Sequence, residues 1–81
     1  MKFTRYFLHT RNRPDRKNIQ IEWIQETLNS AEYEKIQTDG RIRRWKKIKE
    51  ADNKYLRIVL LKDGKTVHNA FFDRSFRGDK K

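Results

Sequence analysis

The sequence predicts an α+β fold: an N-terminal strand and one or two helices packed on a four-stranded antiparallel meander sheet. Three observations carry this. Ile21, Ile24 and Leu28 recur at helical spacing in a stretch without Gly or Pro. The apolar period changes to two from residue 33 onward. Asp39-Gly40 and Asp63-Gly64 then interrupt the apolar runs as hairpin signals. Helices followed by consecutive strands give a sheet with helices on one face. The 81 residues read as one domain, 1–81, with a modest core.

Each element follows in order. Phe3, Tyr6, Phe7 and Leu8 read as a short strand over 3–8. Residues 9–18 are nearly all polar, and Pro14 suits a first helical position, so this stretch reads as a short helix or an ordered basic loop. The main helix covers 20–30, with Glu22 and Glu26 in the half where the helix dipole favours negative charge. Strands follow at 33–38, 41–49, 55–62 and 65–73. Asp-Gly suits a type I′ turn, and Glu50 to Lys54 is a polar connection. Ser75 to Lys81 reads as a frayed polar tail.

A two-residue loop at Asp63-Gly64 sets Leu60 against Val67, Ile58 against Asn69 and Leu56 against Phe71. Alternation then puts Leu56, Ile58, Leu60, Val67 and Phe71 on the helix side, with Asn69 among them. Tyr55, Arg57, Val59, Leu61, Thr66, His68, Ala70, Phe72 and Arg74 fall on the other. Aromatic rings beside guanidinium groups on a sheet face suit RNA, since bases stack on rings and Arg meets phosphate. The plainer alternative is an amphipathic outer face with snorkelling arginines. A one-residue slip of register would exchange the two faces. The strand 41–49 is the densest basic segment, with six Arg or Lys in nine residues, and is placed at or near an edge. Arg41, Arg43, Arg44 and Lys47 are its candidate phosphate contacts, and Trp45 is either a stacking platform or core.

Composition narrows the partners. Hydrophobic residues at 35% and charged residues at 40% lean towards disorder, but 12% aromatics and clustered apolar residues indicate a folded domain with a thin core. The net charge is +10, beyond the roughly 2–8 that keeps a small domain soluble, and it attracts polyanions. With no cysteine, disulfides and thiolate metal sites are excluded and a reducing, cytoplasmic setting is expected. No stretch is long enough to span a membrane, and the apolar run at the N-terminus is too short for a signal peptide. The helix at 20–30 lacks the basic polar face of a membrane-surface helix. There is no Gly-rich phosphate loop and no metal-ligand spacing, so no cofactor and no metal are expected.

His9 and His68 are the acid–base candidates near neutral pH. RNA cleavage needs a base for the 2′-hydroxyl, an acid for the leaving 5′-oxygen, and cations around the phosphorane. Arg57 and Arg74 share the mixed face with His68, while Arg11 and Arg13 follow His9. Phe72 joins Trp45 as a stacking candidate. Asp73 reads as an ion-pair or turn residue.

Two stretches carry a resemblance: His9-Thr10-Arg11-Asn12-Arg13-Pro14 followed by Trp23-Ile24, and the run from Tyr55 to Arg74 that contains Thr66-Val67-His68-Asn69-Ala70-Phe71-Phe72-Asp73-Arg74. They resemble a small uncharacterised bacterial domain family allied to the BrnT and RelE toxins of type II toxin–antitoxin systems. The resemblance implies a RelE/barnase-like fold, metal-independent RNA cleavage and neutralisation by an acidic antitoxin. It implies roles for His9, Arg57, His68 and Arg74. The leading expectation is therefore a toxin-like endoribonuclease. The alternatives are a non-catalytic nucleic-acid-binding module and a basic protein-interaction partner of an acidic antitoxin.

Overall fold

The computed structural model describes residues 1–76. It is α+β, with the order β1 (Lys2–Phe3), α1 (Arg5–Thr10), α2 (Ile21–Ser30), β2 (Tyr33–Ile36), β3 (Ile42–Ile48), β4 (Lys54–Leu60) and β5 (Thr66–Phe72). The strands form one five-stranded sheet in the order β1-β5-β4-β3-β2. The four C-terminal strands are an antiparallel meander, and β1 adds to β5 in parallel through Lys2↔Thr66 and Phe3↔Val67.

The strand expected over 3–8 stops at Phe3 because Thr4 caps a helix. Thr4 is extended, and its Oγ1 accepts from the Phe7 amide at 3.1 Å, satisfying one free donor of the first turn. Phe3 and Phe7 stack at 4.9 Å across this junction. Phe7 and Thr10, three apart, are the buried face of α1, which lies against β5. The polar run 11–18 is a chain of turns. The helix expected at 20–30 is α2, which lays Ile24 and Thr27 on β3 and β4. Arg44 Nη1 donates to the Leu28 carbonyl at 2.6 Å, placing a cation where the C-terminus of α2 favours one.

Both Asp-Gly turns form, but neither is type I′. That turn needs positive φ at both central residues, and here only Gly40 (93°) and Gly64 (69°) adopt it in the two turns. The Asp side chains instead accept from the chain beyond: Asp39 from Arg41 N, and Asp63 from Lys65 N, Thr66 N and Thr66 Oγ1. These bonds hold the Asp63 carboxyl down at about 2, with the Thr66 hydroxyl the largest cause. The polar β3–β4 connection contains a left-handed pair, Asp52 and Asn53, residue types that tolerate that conformation.

The core is Phe7, Ile19, Ile24, Ile48, Leu56, Ile58, Leu60, Val67 and Ala70 between helices and sheet. On β5 the expected register holds at one pair and then fails. Leu60 does face Val67, but Ile58 faces Ala70 and Leu56 faces Phe72, because the ladder slips by one between Val59 and Leu60. His68 is the extra residue of this β-bulge. Beyond it the faces exchange: Ala70 and Phe72 turn to the helices, and Asn69 and Phe71 turn outward. The bulge resolves the misfit of the regular register, which would place an amide in the core. Strand β3 is second from the edge, between β2 and β4. Of the expected frayed tail, Ser75 hydrogen-bonds to Asp73 and Phe76 stacks on Trp45, while residues 77–81 lie outside the described residues.

Candidate functional site

The sheet face turned away from the helices carries the site. Cross-strand pairing aligns Trp45, Arg57 and Phe71 in one row, and Arg43, Val59 and Asn69 in the next. Arg57 lies with its guanidinium carbon 4.9 Å from the Phe71 ring and 5.9 Å from the Trp45 ring. Asp73, just past β5, fixes this row. Its Oδ2 accepts from Trp45 Nε1 at 3.0 Å and from Arg57 Nη1 at 3.3 Å, and its Oδ1 accepts from the Ser75 amide and hydroxyl. Burial raises the affinity of Asp73 for its proton, but the bonds from Trp45, Ser75 and Arg57 outweigh it and hold the carboxyl below its ordinary value.

In the second row, Arg43 Nε donates to Gln37 Oε1 at 2.8 Å, and Asn69 Oδ1 accepts from Arg16 Nη1 at 2.7 Å. Arg16 therefore reaches from the turns after α1 onto the edge of β5, where its guanidinium carbon sits 5.3 Å from the Phe71 ring. The bulge puts His68 beside these groups. Its Nδ1 lies 3.1 Å from Thr4 Oγ1, and its ring stacks on Tyr6 at 4.8 Å and 23°. Burial, followed by the charge of Arg41, pushes the imidazole below its ordinary pKa. The ring is thus biased towards its neutral form near pH 7, the form that accepts a proton.

Together these side chains line an open groove of about 570 Å³. Its walls hold Arg16, Arg41, Arg43, Arg57 and His68 with Tyr6, Gln37, Val59, Asn69 and Phe71, and include no Asp or Glu among the described residues. Asp15, Asp39 and Asp73 stand behind the walls, 3.7 Å from Arg16, 3.8 Å from Arg41 and 3.3 Å from Arg57, and offset part of the charge. The side chains that face the groove itself present guanidinium groups to an anion. Among the described residues no three His, Cys, Asp or Glu side chains gather as a metal site, and no helix is long and apolar enough to cross a membrane.

Of the residues singled out from the sequence, His68, Arg57, Arg41 and Arg43 meet in this groove. The others do not line it. His9 is exposed on α1, one turn beyond Tyr6. Arg11 lies over the Phe7 ring at 6.0 Å, and Arg13 is exposed in the turns. Arg44 is on the helix side, bonded to Leu28 and to Glu34. Lys47 sits over Tyr55, and Arg74 is exposed past β5. Trp45 is 6% exposed, covered by the parallel ring of Phe76 at 4.5 Å, so its face is already stacked within the chain. Phe72 packs on the helix side, edge-on to Trp23.

Five groove residues were not legible as such. Asn69 and Phe71 are displaced by the bulge, and Tyr6 by the cap at Thr4. Arg16 and Gln37 sit in polar stretches where spacing singles out no residue. The pattern Thr4-x-x-Phe7 opening an apolar turn was the one local signal for the cap.

No family model, no curated protein and no solved structure matches the chain.

Proposed function

We propose that the chain engages single-stranded RNA through the outer-face groove and cleaves it there as a toxin-like endoribonuclease without a metal ion. The observation that supports this is His68, biased to its neutral form among four arginines, with no carboxylate lining the groove. In this reading the imidazole takes the proton of a 2′-hydroxyl. The 2′-oxygen forms its bond to phosphorus, the bond from phosphorus to the 5′-oxygen breaks, and the products are a cyclic phosphate and a 5′-hydroxyl. Arg41, Arg43 and Arg57 stabilise the charge that develops on the phosphorane. The phenol of Tyr6, whose ring stacks on His68, is assigned to protonate the leaving oxygen. A cytoplasmic setting and an acidic antitoxin that covers the cationic groove belong to the same reading.

The test is incubation of the full chain with labelled RNA in EDTA, beside His68→Ala and His9→Ala. Cleavage lost in His68→Ala and kept in His9→Ala supports the assignment. Cleavage untouched in both variants refutes it. A second reading, a non-catalytic RNA-binding module, is favoured by one observation: His68 is the only histidine among the residues lining the groove. Intact RNA with salt-sensitive retention by both variants would select that reading.

A further inference from the structure

Strand β1 pairs only with Thr66 and Val67, so on that side β5 has no neighbouring strand from residue 68 to 72. The turns after α1 run along this edge, tied to it by Arg16 and Asn69. On the far side of that tie lies a second groove, of about 510 Å³, within the range of small-ligand sites. Arg16 and Phe71 belong to the walls of both grooves. The two grooves therefore adjoin at that pair.

The second groove differs in chemistry from the first. Its aromatic wall is Phe72 with Trp23 edge-on at 6.1 Å and 60°. Lys54, with its Nζ 5.8 Å from the Phe72 ring, and Arg74 contribute two exposed cations. Asp15 is the one acidic lining residue described, and it is 3.7 Å from Arg16 Nε. The first groove offers charge around a histidine, whereas this one offers aromatic surface beside cations. A nucleotide presents the π-face of its base for aromatic contact and its phosphate to the cations, and such recognition tolerates any base.

Resting on the RNA reading above, we propose that the groove around Trp23, Phe72, Lys54 and Arg74 is a nucleotide subsite for a residue flanking the one at His68. The strand would pass over Arg16 and Phe71 from one groove to the other. Phe72 and Arg74, which do not line the His68 groove, acquire a role here.

The test is amide and indole NMR of the full chain titrated with a short unstructured oligouridylate, and separately with inorganic phosphate and with an acidic peptide. The oligonucleotide is expected to move the Trp23 indole and the Lys54 amide together with His68 and Asn69, while phosphate, which has no base to set against the rings, leaves the Trp23 indole in place. Lys54→Glu combined with Arg74→Glu alters only exposed positions. It is expected to weaken oligonucleotide binding about tenfold and leave the phosphate response at His68 unchanged. Oligonucleotide shifts confined to the His68 groove, with full affinity in the double variant, overturn the subsite and leave the RNA reading standing. Absence of any shift removes the RNA reading and the subsite with it. Shifts with an acidic peptide but not with RNA overturn it in favour of a protein partner.

Discussion

Tyr6 lies ring on ring with His68 at 4.8 Å, so that α1 closes over the bulge of β5. This contact and the bond to Thr4 are what keep the imidazole partly dry, and dryness comes first among the causes that lower its pKa. Tyr6→Ala should therefore raise the pKa of His68 towards its ordinary value, and Arg41→Ala should raise it further. A proton-NMR titration of the His68 ring checks both, and an unmoved pKa in Tyr6→Ala removes burial by this ring as the cause. The linkage has a fixed sign. The folded state binds the His68 proton less readily than the unfolded chain, so stability is full above the unfolded pKa of about 6.5 and declines as pH falls through it. The acid limb of any cleavage profile should likewise fall below that value.

Binding should show the charge of the groove directly. Each phosphate contact to a single strand contributes about 0.7 to the slope of log affinity against log salt. Arg41→Ala and Arg43→Ala should each lower that slope by about one contact, and Arg44→Ala, on the helix side, should not. Fluorescence anisotropy over a salt series measures the three slopes. Equal slopes throughout would disconnect RNA from this face.

Asp73 is the fixed point from which Arg57 and Trp45 are aimed. Its carboxylate is 9% exposed and accepts from three residues, so Asp73→Ala leaves partly buried donors without acceptors. The expected cost is about 1–3 kcal/mol, with red-shifted Trp45 emission and a weakened RNA response at Arg57. Because the carboxyl is held below its ordinary value in the fold, this stabilisation is present above the unfolded pKa and is lost as acid protonates the group. Urea unfolding at pH 7 and at pH 3 should show a smaller difference for Asp73→Ala than for the parent chain.

The bulge makes a prediction that a regular strand reverses. Ala70 is 3% exposed against the helices, whereas Asn69 faces the groove. Ala70→Glu buries an unpaired charge and should cost more than about 4 kcal/mol, a large part of the roughly 4–12 kcal/mol available to a chain of this length. Asn69→Ala should leave a cooperative fold and release Arg16. Thermal unfolding of the pair decides the register, and a mild Ala70→Glu beside a ruinous Asn69→Ala would contradict it.

The legible part of the fold was the part written in period. Ile21, Ile24 and Leu28 located α2, and the alternation of Leu56, Ile58 and Leu60 located the inner face of β4. A single extra residue defeated the same rule on β5, since alternation carries no mark of where a phase is lost. Asn69 at an apolar position was the visible misfit. The site was legible where regular strands carry its residues, as β3 carries Arg43 and β4 carries Arg57. It was not legible where a bulge, a cap or a turn places them, as with Phe71, Tyr6 and Arg16. Trp45, open to either role, is settled by Phe76, a contact from outside the sheet.

The pairing of β1 with β5 bears on how the chain is born. Thr4 and His68 are 64 residues apart, and neither α1 nor β1 has its docking surface until the last strand exists. Vectorial folding during synthesis can assemble the β2–β3–β4 hairpins early, but it must leave the first ten residues waiting. The groove is thus completed only after Phe71 has cleared the ribosome, and a nascent chain carries its arginines without the histidine arrangement that would make them a site.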